Sequence, residues 1–368
     1  MSKKCFATTN GFWVSPQGYV YPCAKIKPPY KKIHISDIDD YSKINQHFLD
    51  IKESLSKNIW HSACERCEFD EKNKIRSKRQ YYDVIQPLDY IIDISLGNYC
   101  NLKCRMCNPI NSTTWKEDWV PLQEEGKRLG IEMSSQYDDS SNYIFSNKDV
   151  KKLIKFVNKI NGNILLELKG GEPLLMPQTF EILEQLQNKN ISLLLVTNGT
   201  KYPLWIEKIS EKFKQIELIV SVDGVGETYE YIRGFSYDKL IENLEKFSKL
   251  PNILLGFNVV VQNLNISQIE LIHKTLSLYS QNINYITLKG PNILRANVLP
   301  LKEKTRILSE YDKNKKIYGK KQQQIDSIMN FVKQPSDPKL LELFFKYNSF
   351  LDKRRNQCGL ANQLSGLI

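Results

Sequence analysis

Histidine is scarce in this sequence, with 4 among 368 residues, and no His-based metal or catalytic motif is visible. The chain also lacks any run near the roughly 20 apolar residues that span a bilayer. Its start, MSKKCFATTNGFW, has no apolar core of a secretory signal. We therefore expect a cytoplasmic protein with no membrane partner. There is no internal repeat or low-complexity tract, and large-scale disorder is not expected.

The charge balance is basic, since 52 Lys and Arg against 41 Asp and Glu give a net charge of +11. An acidic partner such as nucleic acid, an acidic peptide or a phosphorylated substrate would account for this excess. A composition generally rich in Lys, Asn and Ile accounts for it more simply, because the basic residues are scattered rather than gathered in one stripe. Nucleic acid is therefore not an expected partner.

The eight cysteines indicate metal ligands rather than disulfides, because cytosolic reductants keep thiols reduced. Three of them, Cys100, Cys104 and Cys107, stand as CxxxCxxC in SLGNYCNLKCRMC, directly after an apolar run. Three thiolates on one short loop can hold three irons of a cubane and leave the fourth iron open. A zinc site with a fourth ligand is the alternative.

From residue 88 onward apolar strands alternate with amphipathic helices, which predicts βα units and a parallel sheet. We expect strands at residues 90–96, 164–169, 192–197, 217–222, 253–261 and 285–289. We expect helices at 150–161, 177–188, 203–213, 237–249 and 267–279. Residues 109–147 read as an irregular insertion over the sheet edge, and residues beyond Pro300 as helical.

The second of these strands ends in the GGEP sequence Gly170, Gly171, Glu172 and Pro173. Together with CxxxCxxC it resembles the radical S-adenosylmethionine (SAM) enzymes. The resemblance implies an α/β fold with a partial (β/α)6 TIM-type barrel. It also implies a 4Fe-4S cluster that binds SAM and cleaves it reductively to a 5'-deoxyadenosyl radical, which abstracts a hydrogen from the substrate. In that family GGEP holds the SAM ammonium; a plain tight βα turn is the alternative.

Further strand ends match the family's SAM contacts. Asn198 follows the third strand, and Ser221 and Asp223 end the fourth in a way that resembles the family's ribose-contacting segment. Arg233, in YEYIRG, matches an arginine that relatives place against the SAM carboxylate, which suits its planar fork of donors. A surface salt bridge is the alternative for Arg233.

Two residues depart from the family pattern. Met106 stands before the third cysteine, where the family has an aromatic near the adenine, and its thioether can still pack on a ring. Lys169 precedes the double glycine, where some relatives have a glutamine that contacts SAM.

Period-2 alternation predicts which strand residues face the barrel interior. The expected inward residues are Asp93, Ser95, Glu167, Lys169, Ser221, Asp223, Asn258, Gln262, Tyr285, Thr287 and Lys289. Polar residues there suit a wet cavity for substrate and cofactor. A closed network of ion pairs, for example Glu167 with Lys289, is the alternative.

Four more cysteines, Cys5, Cys23, Cys64 and Cys67, lie upstream, with GYVYPC around the second and NIWHSAC before the CxxC. This segment resembles the twitch form of the SPASM auxiliary domain, which holds one 4Fe-4S cluster, although here it precedes the barrel. An all-cysteine zinc site is the alternative. Since a fully ligated cluster cannot bind substrate, electron transfer is its expected task.

The resemblance thus divides the chain into a twitch-like N-terminal β-hairpin and helix domain (1–85), a barrel (86–300) and a helical C-terminal extension (301–368). It implies oxidative modification of a peptide or protein, as in maturases of ribosomally made peptides, and a flavodoxin- or ferredoxin-type reductant. Oxidation of a carbohydrate or cyclitol alcohol is one alternative, and a non-catalytic iron-sulfur carrier is another. No catalytic acid or base is identified; Cys358 is either a buried residue or a thiol near the active site.

Overall fold

The computed structural model describes residues 3–27, 29–72, 77–82, 88–129, 144–357 and 359; Cys358 therefore lies outside the described residues. The strands form one nine-stranded sheet in the order β3-β2-β1-β4-β5-β6-β7-β8-β9. They are β1 (Gly11–Val14), β2 (Tyr19–Tyr21), β3 (Ile33–His34), β4 (Tyr90–Ser95), β5 (Ile164–Lys169), β6 (Ile191–Thr197), β7 (Ile216–Ser221), β8 (Ile253–Val261) and β9 (Ile283–Thr287).

Strands β4 to β9 are parallel neighbours in chain order, and helices connect them. The helices are α1 (Phe6–Asn10), α2 (Tyr41–His47), α3 (Leu49–Ser56), α4 (Glu65–Lys72), α5 (Lys78–Tyr82), α6 (Lys116–Leu129), α7 (Asn147–Asn158), α8 (Pro177–Gln185), α9 (Trp205–Lys212), α10 (Glu227–Arg233), α11 (Tyr237–Ser248), α12 (Ile269–Ser277), α13 (Leu301–Asn314), α14 (Gln322–Lys333) and α15 (Pro338–Arg355). The expected α/β class, partial TIM-type barrel and helical C-terminal part are confirmed. No helix in the described ranges has the length and apolar character needed to cross a membrane.

The N-terminal hairpin continues the barrel sheet. The turn at Ser15–Gly18 joins β1 and β2, with Gly18 at φ 79, and β1 then pairs in parallel with β4. Phe12 is buried and packs edge-on against Phe156 of α7, with ring centroids 5.5 Å apart. The first residues and the barrel therefore share one sheet and one apolar core; the functional division at residues 85 and 300 stays a prediction.

The N-terminal helices α4 and α5 lie against the concave face of the sheet. Lys78 Nζ and the Tyr82 hydroxyl both donate to Glu167, an inward residue of β5, at 3.2 and 3.1 Å. At the other end of the sheet, Lys289 Nζ donates to Asp70 of α4 at 2.8 Å. This segment therefore reaches from the middle of the sheet to the end of its last strand.

The insertion at residues 109–147 is not irregular as expected, because its described part contains α6. Trp115, Trp119 and Leu122 recur at helical spacing and are buried. Pro121 lies inside this helix and has no N–H to give to the carbonyl of Glu117. Arg354 of α15 donates to that carbonyl instead, at 2.9 Å.

The expected inward orientation of Tyr285 and Thr287 is wrong. Tyr285 is buried on the helix side of the sheet, where its hydroxyl lies 2.7 Å from Nδ1 of His273 in α12. The inward residue of this strand is Asn284, which pairs with Asn258 and donates to its side chain at 3.0 Å. Alternation shows which residues of a strand share a face, but not which face points inward. Tyr285 suggests the wrong face because its polar hydroxyl is carried on a large ring that is buried.

Candidate active site

The CxxxCxxC loop begins five residues after β4, at the carboxyl edge of the sheet where βα loops gather. Cys100 and Cys104 are buried and Cys107 is half-buried. Burial raises the pKa of Cys100 to about 11, and the neighbouring Cys104 adds to the rise. Asn198 Nδ2 lies 3.7 Å from the sulfur of Cys100, so a donor is already aimed at this thiol.

Gly170 and Gly171 press against the backbone that leads into the cysteine loop. A Cβ on Gly170 would lie 2.7 Å from the carbonyl oxygen of Gly97, and one on Gly171 would lie 2.2 Å from that of Tyr99. Both glycines have positive φ, 97 and 32, which side chains rarely adopt. This close approach brings the GGEP turn directly against the start of the cysteine loop.

Glu172 is fully buried, and its carboxylate joins two chain segments. It accepts hydrogen bonds from the Leu174 N–H at 3.0 Å, the Thr197 hydroxyl at 2.6 Å and the Asn198 N–H at 2.6 Å. Burial raises its pKa, while these donors act in the opposite direction. The side chain therefore fixes the ends of β5 and β6 relative to each other.

Arg233 and Asp223 form a buried ion pair beside the cysteine loop, so the surface alternative for Arg233 is wrong. Arg233 Nε donates to Asp223 at 2.9 Å, and Nη1 lies 3.6 Å from the sulfur of Cys104. The other oxygen of Asp223 accepts the Val260 N–H at 2.7 Å. Burial alone would lower the pKa of Arg233, but Asp223 and the neighbouring thiols raise it overall. Its positive charge is therefore held next to the cysteines.

Ser221 and Met106 border the same region. Ser221 ends β7, is half-buried and pairs with the inward Asn258. Met106 packs beside Cys107, and its sulfur lies 3.8 Å from Nε2 of Gln262. Gln262 is fully buried and its Oε1 has no hydrogen-bond partner among the described residues, so a polar group is free beside Met106.

No sequence pattern indicates which side chains support the cysteine loop. Arg105, inside the loop, is fully buried and stacks on the ring of Tyr231, 3.5 Å from its centroid. Its fork donates to the Tyr231 carbonyl at 3.0 Å, to Asn348 at 2.8 Å and to Gln357 at 2.8 Å, and it also pairs with Asp352. Helix α15 is thereby fastened to the loop.

Two further contacts complete this support. Trp115 Nε1 donates to the Cys104 carbonyl at 2.9 Å, and the Tyr347 hydroxyl donates to the Arg105 carbonyl at 2.6 Å. Both aromatic side chains are buried. Trp115, 11 residues away in sequence, and Tyr347, 242 residues away, therefore both fix the backbone of the loop.

Burial raises the pKa of each of the four upstream cysteines, and the charges of other cysteines of this group add to the rise for Cys5, Cys23 and Cys64. Cys64 senses the charges of Cys23, Cys5 and Cys67 after the dominant effect of burial, which raises its pKa. Cys23 in turn senses Asp93 of β4. Within the described chain no three His, Cys, Asp or Glu side chains converge tightly enough to hold one metal ion. The cysteine sulfurs can lie further apart around a four-iron cluster than around one zinc ion, because each thiolate binds a different iron.

Asp93 and Lys169 are neighbours of these cysteines on the inward face. Lys169 Nζ pairs with Oδ2 of Asp93 and lies 3.9 Å from Glu167. Burial raises the pKa of Asp93 to about 6, although Lys169 works against the rise. Oδ1 of Asp93 is buried without a hydrogen-bond partner in the described ranges. The expected Glu167 to Lys289 pair is absent there, because Glu167 binds Lys78 and Lys289 binds Asp70.

Residues 94–276 match the model of the Radical SAM superfamily. An uncharacterized protein of Methanocaldococcus jannaschii is 26% identical over 259 residues, which are 66% of this chain and 75% of that protein. An AdoMet-dependent heme synthase of Methanosarcina barkeri is 32% identical over 33% of this chain and 35% of its own length. A probable GTP 3',8-cyclase of Pyrococcus horikoshii is 26% identical over 43% of this chain and 42% of its own. Each of these last two matches thus spans less than half of the relative's own length.

Among solved structures, Streptococcus suis SuiB bound to S-adenosylmethionine aligns with a TM-score of 0.36 and 16% identity. The alignment covers 84% of this chain and 69% of that one. At this level the likeness carries no argument about function.

Proposed function

Residues 94–276 form a radical SAM superfamily domain, and on that premise we propose that the protein oxidises a peptide or protein side chain with the help of a second, auxiliary 4Fe-4S cluster. The superfamily implies an enzyme that uses SAM and a 4Fe-4S cluster. When bound, these two supply the radical chemistry that removes a hydrogen atom from an unactivated C–H bond. The auxiliary cluster, the oxidation and the peptide substrate are our proposal.

The residues of the first site fit the cofactors that the superfamily implies. Cys100, Cys104 and Cys107 offer three thiolates and leave one iron of a cubane without a protein ligand. Asn198 and Arg233 aim donors at two of the sulfurs, and such contacts tune an iron-sulfur centre. Gly170 and Gly171 would hold SAM at the edge of the loop together with Ser221 and Met106. The other residues of the proposed SAM site are Pro173, Glu172, Asn198, Asp223 and Arg233.

The position of the upstream cysteines carries the proposal. The charge of Asp93, an inward residue of β4, acts on the pKa of Cys23, and β4 leads directly into the first cysteine loop. Strand β4 thus connects the two groups of cysteines. A second centre in this place suits the acceptance of an electron from a substrate held in the barrel, and with it a net two-electron oxidation.

An oxidation that removes a hydrogen atom and an electron from one carbon also releases a proton in most products. Oδ1 of Asp93 is a buried acceptor without a partner in the described chain, so a substrate group that reached it would find an unpaired acceptor for this proton. Asp93 and Glu167 are buried in this region, and exclusion of water there would protect a reactive substrate.

A small-molecule substrate is the second candidate, as in oxidation of a carbohydrate or cyclitol alcohol. It is favoured by the names of the sequence relatives, one a heme synthase and one a probable GTP cyclase. Neither name describes a peptide.

Iron content tests the two-cluster proposal. Anaerobic reconstitution of the full chain should give roughly eight irons per chain, because two four-iron clusters are expected. Replacing Cys64 and Cys67 by Ala should halve this, whereas Cys358→Ala, which alters a cysteine outside both groups, should not. Roughly four irons per parent chain would refute the auxiliary cluster. Zinc without iron would refute the whole proposal.

Product analysis tests the reaction. With SAM and a reductant, the parent should form 5'-deoxyadenosine, and a peptide substrate should lose the mass of two hydrogens. Cys100→Ala should abolish 5'-deoxyadenosine, while the Cys64 and Cys67 double variant should form it without product. Unchanged product in that double variant would refute the electron-acceptor role, and a mass loss confined to a sugar-like metabolite would favour the second candidate.

We also propose a cytoplasmic location and a flavodoxin- or ferredoxin-type reductant. Purification of the protein with a membrane fraction would refute the location. Equal activity with both reduced carriers and with an unrelated low-potential dye would leave no support for a specific protein reductant.

A further inference from the structure

Tyr229, near the start of α10, carries a hydroxyl group that the site described above does not use. The side chain is fully buried, and its hydroxyl has no hydrogen-bond partner among the described residues. A buried hydroxyl without a partner costs free energy, since it has given up its bonds to water. A phenylalanine would fill almost the same space without that cost. The hydroxyl therefore needs an acceptor that the described chain does not supply.

Helix α10 places Tyr229 next to Arg233. The two residues are four positions apart, so their side chains lie on the same face of the helix. Helical side chains lean toward the N-terminus, which carries the Arg233 side chain back toward Tyr229. Nη1 of Arg233 lies 3.6 Å from the sulfur of Cys104. The face of α10 that bears the unpaired hydroxyl is therefore the face that reaches the CxxxCxxC loop.

Contacts on two sides hold Tyr229 in this place. A Cβ on Gly224 would lie 2.7 Å from the backbone nitrogen of Tyr229, so the end of β7 is pressed against the start of α10. Asp223, the residue before this glycine, accepts a hydrogen bond from Arg233 at 2.9 Å. The ring of Tyr229 packs against that of Tyr237 in α11, with centroids 5.7 Å apart. Backbone and ring together fix where the hydroxyl lies.

The groups around this hydroxyl belong to the candidate active site. Burial raises the pKa of Tyr229; Arg233 works against the rise, and the charges of Cys104, Asp223 and Glu172 add to it. Both oxygens of Asp223 and both oxygens of Glu172 already accept hydrogen bonds from other donors. Neither carboxylate is a partner of the Tyr229 hydroxyl in the described chain. The acceptor that this hydroxyl lacks is therefore one that the cofactor site would provide.

We propose that the Tyr229 hydroxyl donates a hydrogen bond to a sulfur of the 4Fe-4S cluster that Cys100, Cys104 and Cys107 would hold, and so makes this cluster easier to reduce. A hydrogen bond to a cluster sulfur stabilises the reduced form most, because that form carries one more negative charge. Tyr229 transfers neither a proton nor an electron in this role. The inference rests on the proposed function only through its SAM-cleaving cluster, and not through the auxiliary cluster or the substrate.

The competing explanation is that the hydroxyl binds SAM, since Arg233 belongs to the proposed SAM site. That role predicts an effect of the hydroxyl only when SAM is present, whereas a bond to the cluster acts with and without SAM. A role of the ring alone predicts no difference between tyrosine and phenylalanine. The three roles are therefore separable by experiment.

The test compares the parent protein with Tyr229→Phe, which keeps the ring and removes the hydroxyl. The full-length protein is reconstituted anaerobically, and a redox titration without SAM is followed by electron paramagnetic resonance. The signal that changes when SAM is added afterwards identifies the SAM-binding cluster. Tyr237→Phe is the matched control, because that half-buried tyrosine contacts the same ring.

At a fixed potential, Tyr229→Phe should lower the ratio of reduced to oxidised cluster about five-fold, the usual worth of one hydrogen bond, which is about 40 mV for one electron. The control should leave the ratio unchanged. Electron-nuclear double resonance after exchange into deuterated water gives a direct measurement. The reduced parent should show an exchangeable proton coupled to the cluster that Tyr229→Phe lacks.

The stability of the metal-free chain gives a further measurement, because a bond to the cluster and a bond within the protein act differently there. Without the cluster, Tyr229→Phe should be at least as stable to urea as the parent, since it loses no bond and no longer buries an unpaired hydroxyl. With the cluster, it should release iron to a chelator faster than the parent. A metal-free variant that is less stable than the parent would overturn the proposal.

An unchanged ratio of reduced to oxidised cluster in Tyr229→Phe would also overturn it, as would an effect confined to SAM binding. Formation of 5'-deoxyadenosine by the parent separates these outcomes from failure of the proposed function. A parent that cleaves SAM beside a variant with unchanged cluster reduction refutes the role of Tyr229 alone. A parent whose cluster responds to the substitution but cleaves no SAM refutes the proposed reaction alone.

Discussion

The direction of the Asp93 side chain is predictable from the sequence, but its protonation and hydrogen-bond partners are not. Period-2 alternation predicts its inward direction, and the register with Glu167 agrees. Its partner Lys169 lies 76 residues away on the neighbouring strand, and its unpartnered Oδ1 depends on everything packed around it. Contacts between residues so far apart in sequence cannot be read from a local sequence pattern.

We predict that Asp93 makes the protein less stable as the pH rises from 4 to 6. Its pKa in the folded protein, about 6, lies above the ordinary value of 3.8, because burial disfavours the charged form. The folded state therefore holds this proton more tightly, and the contribution is fully present below pH 4 and lost as the pH passes 6. Urea unfolding of the parent and of Asp93→Asn across this range should give a difference in unfolding free energy that falls with pH.

The control for this experiment is Asp39→Asn. Asp39 is exposed, and its hydrogen bond with Lys152 lowers its pKa, so its difference curve should stay flat above pH 4. A flat curve for Asp93→Asn as well would contradict the assignment of a raised pKa.

Gly171→Ala should cost the protein at least about 2 kcal/mol more than Gly319→Ala. Both glycines have positive φ, 32 and 48, but a Cβ at Gly171 would lie 2.2 Å from the Tyr99 carbonyl, whereas nothing lies within 4 Å at Gly319. Because both glycines have positive φ, the difference between the two variants measures the clash of the new Cβ with the Tyr99 carbonyl rather than the backbone strain. Unfolding free energies and iron retention measure it, and equal losses in both variants would refute the contact. The GGEP motif is visible in the sequence, but this reason for it requires the register of β4 and β5.

At the scale of elements, most helices and strands were predictable because their apolar periodicity is regular. Helix α6 was missed since Pro121 interrupts its pattern, and the compensating donor, Arg354, lies more than 200 residues further along the chain. The faces of β9 were exchanged because Tyr285 joins a polar tip to a buried ring. In each case a distant partner decided the outcome.

Helix α15 is the element on which the cysteine loop depends, so we predict that Arg105→Lys destabilises the loop. A lysine cannot reproduce a planar fork that serves the Tyr231 carbonyl, Asn348 and Gln357 together. The expected loss is about 3 kcal/mol or more in unfolding free energy, since buried acceptors are left unpaired. The SAM-binding cluster should also lose iron faster to a chelator.

The matched control for this variant is Arg128→Lys, at an exposed arginine of α6 paired with Glu125. It should change neither stability nor iron retention. Equal behaviour of the two variants would show that α15 is not needed to hold the loop.

At the scale of the whole molecule, the strands of the N-terminal segment belong to the same sheet as the barrel strands. The resemblance of this segment to a twitch domain predicts a separate functional domain, which stays a prediction, and nothing in the local sequence indicates that β1 pairs with β4 or that α4 reaches Lys289. Strands nearly 80 residues apart pair because the pairing buries apolar surface over the whole sheet. A short stretch of sequence does not contain that information. The sheet order is therefore the least predictable part of the fold.

Removal of residues 1–85 should therefore prevent the rest of the chain from folding as a soluble monomer. It would expose the edge of β4 and the apolar surface under Phe12, and exposed edges promote aggregation. Size-exclusion chromatography and circular dichroism measure the result. The milder variant Phe12→Ala should cost about 3 to 5 kcal/mol by removing the contact with Phe156. A folded, monomeric, iron-binding truncation would contradict the shared core.

The contacts of Arg105 with α15 also determine when the cysteine loop can be completed during protein synthesis. Asn348 leaves the ribosome 243 residues after Arg105, which takes roughly 12 to 50 s at ordinary translation rates. Throughout that interval the three cysteines of the loop are present but their backbone is not yet fastened. We therefore expect that an iron-sulfur cluster enters a fully fastened loop only after α15 has been made, and that the three thiols must stay reduced until then.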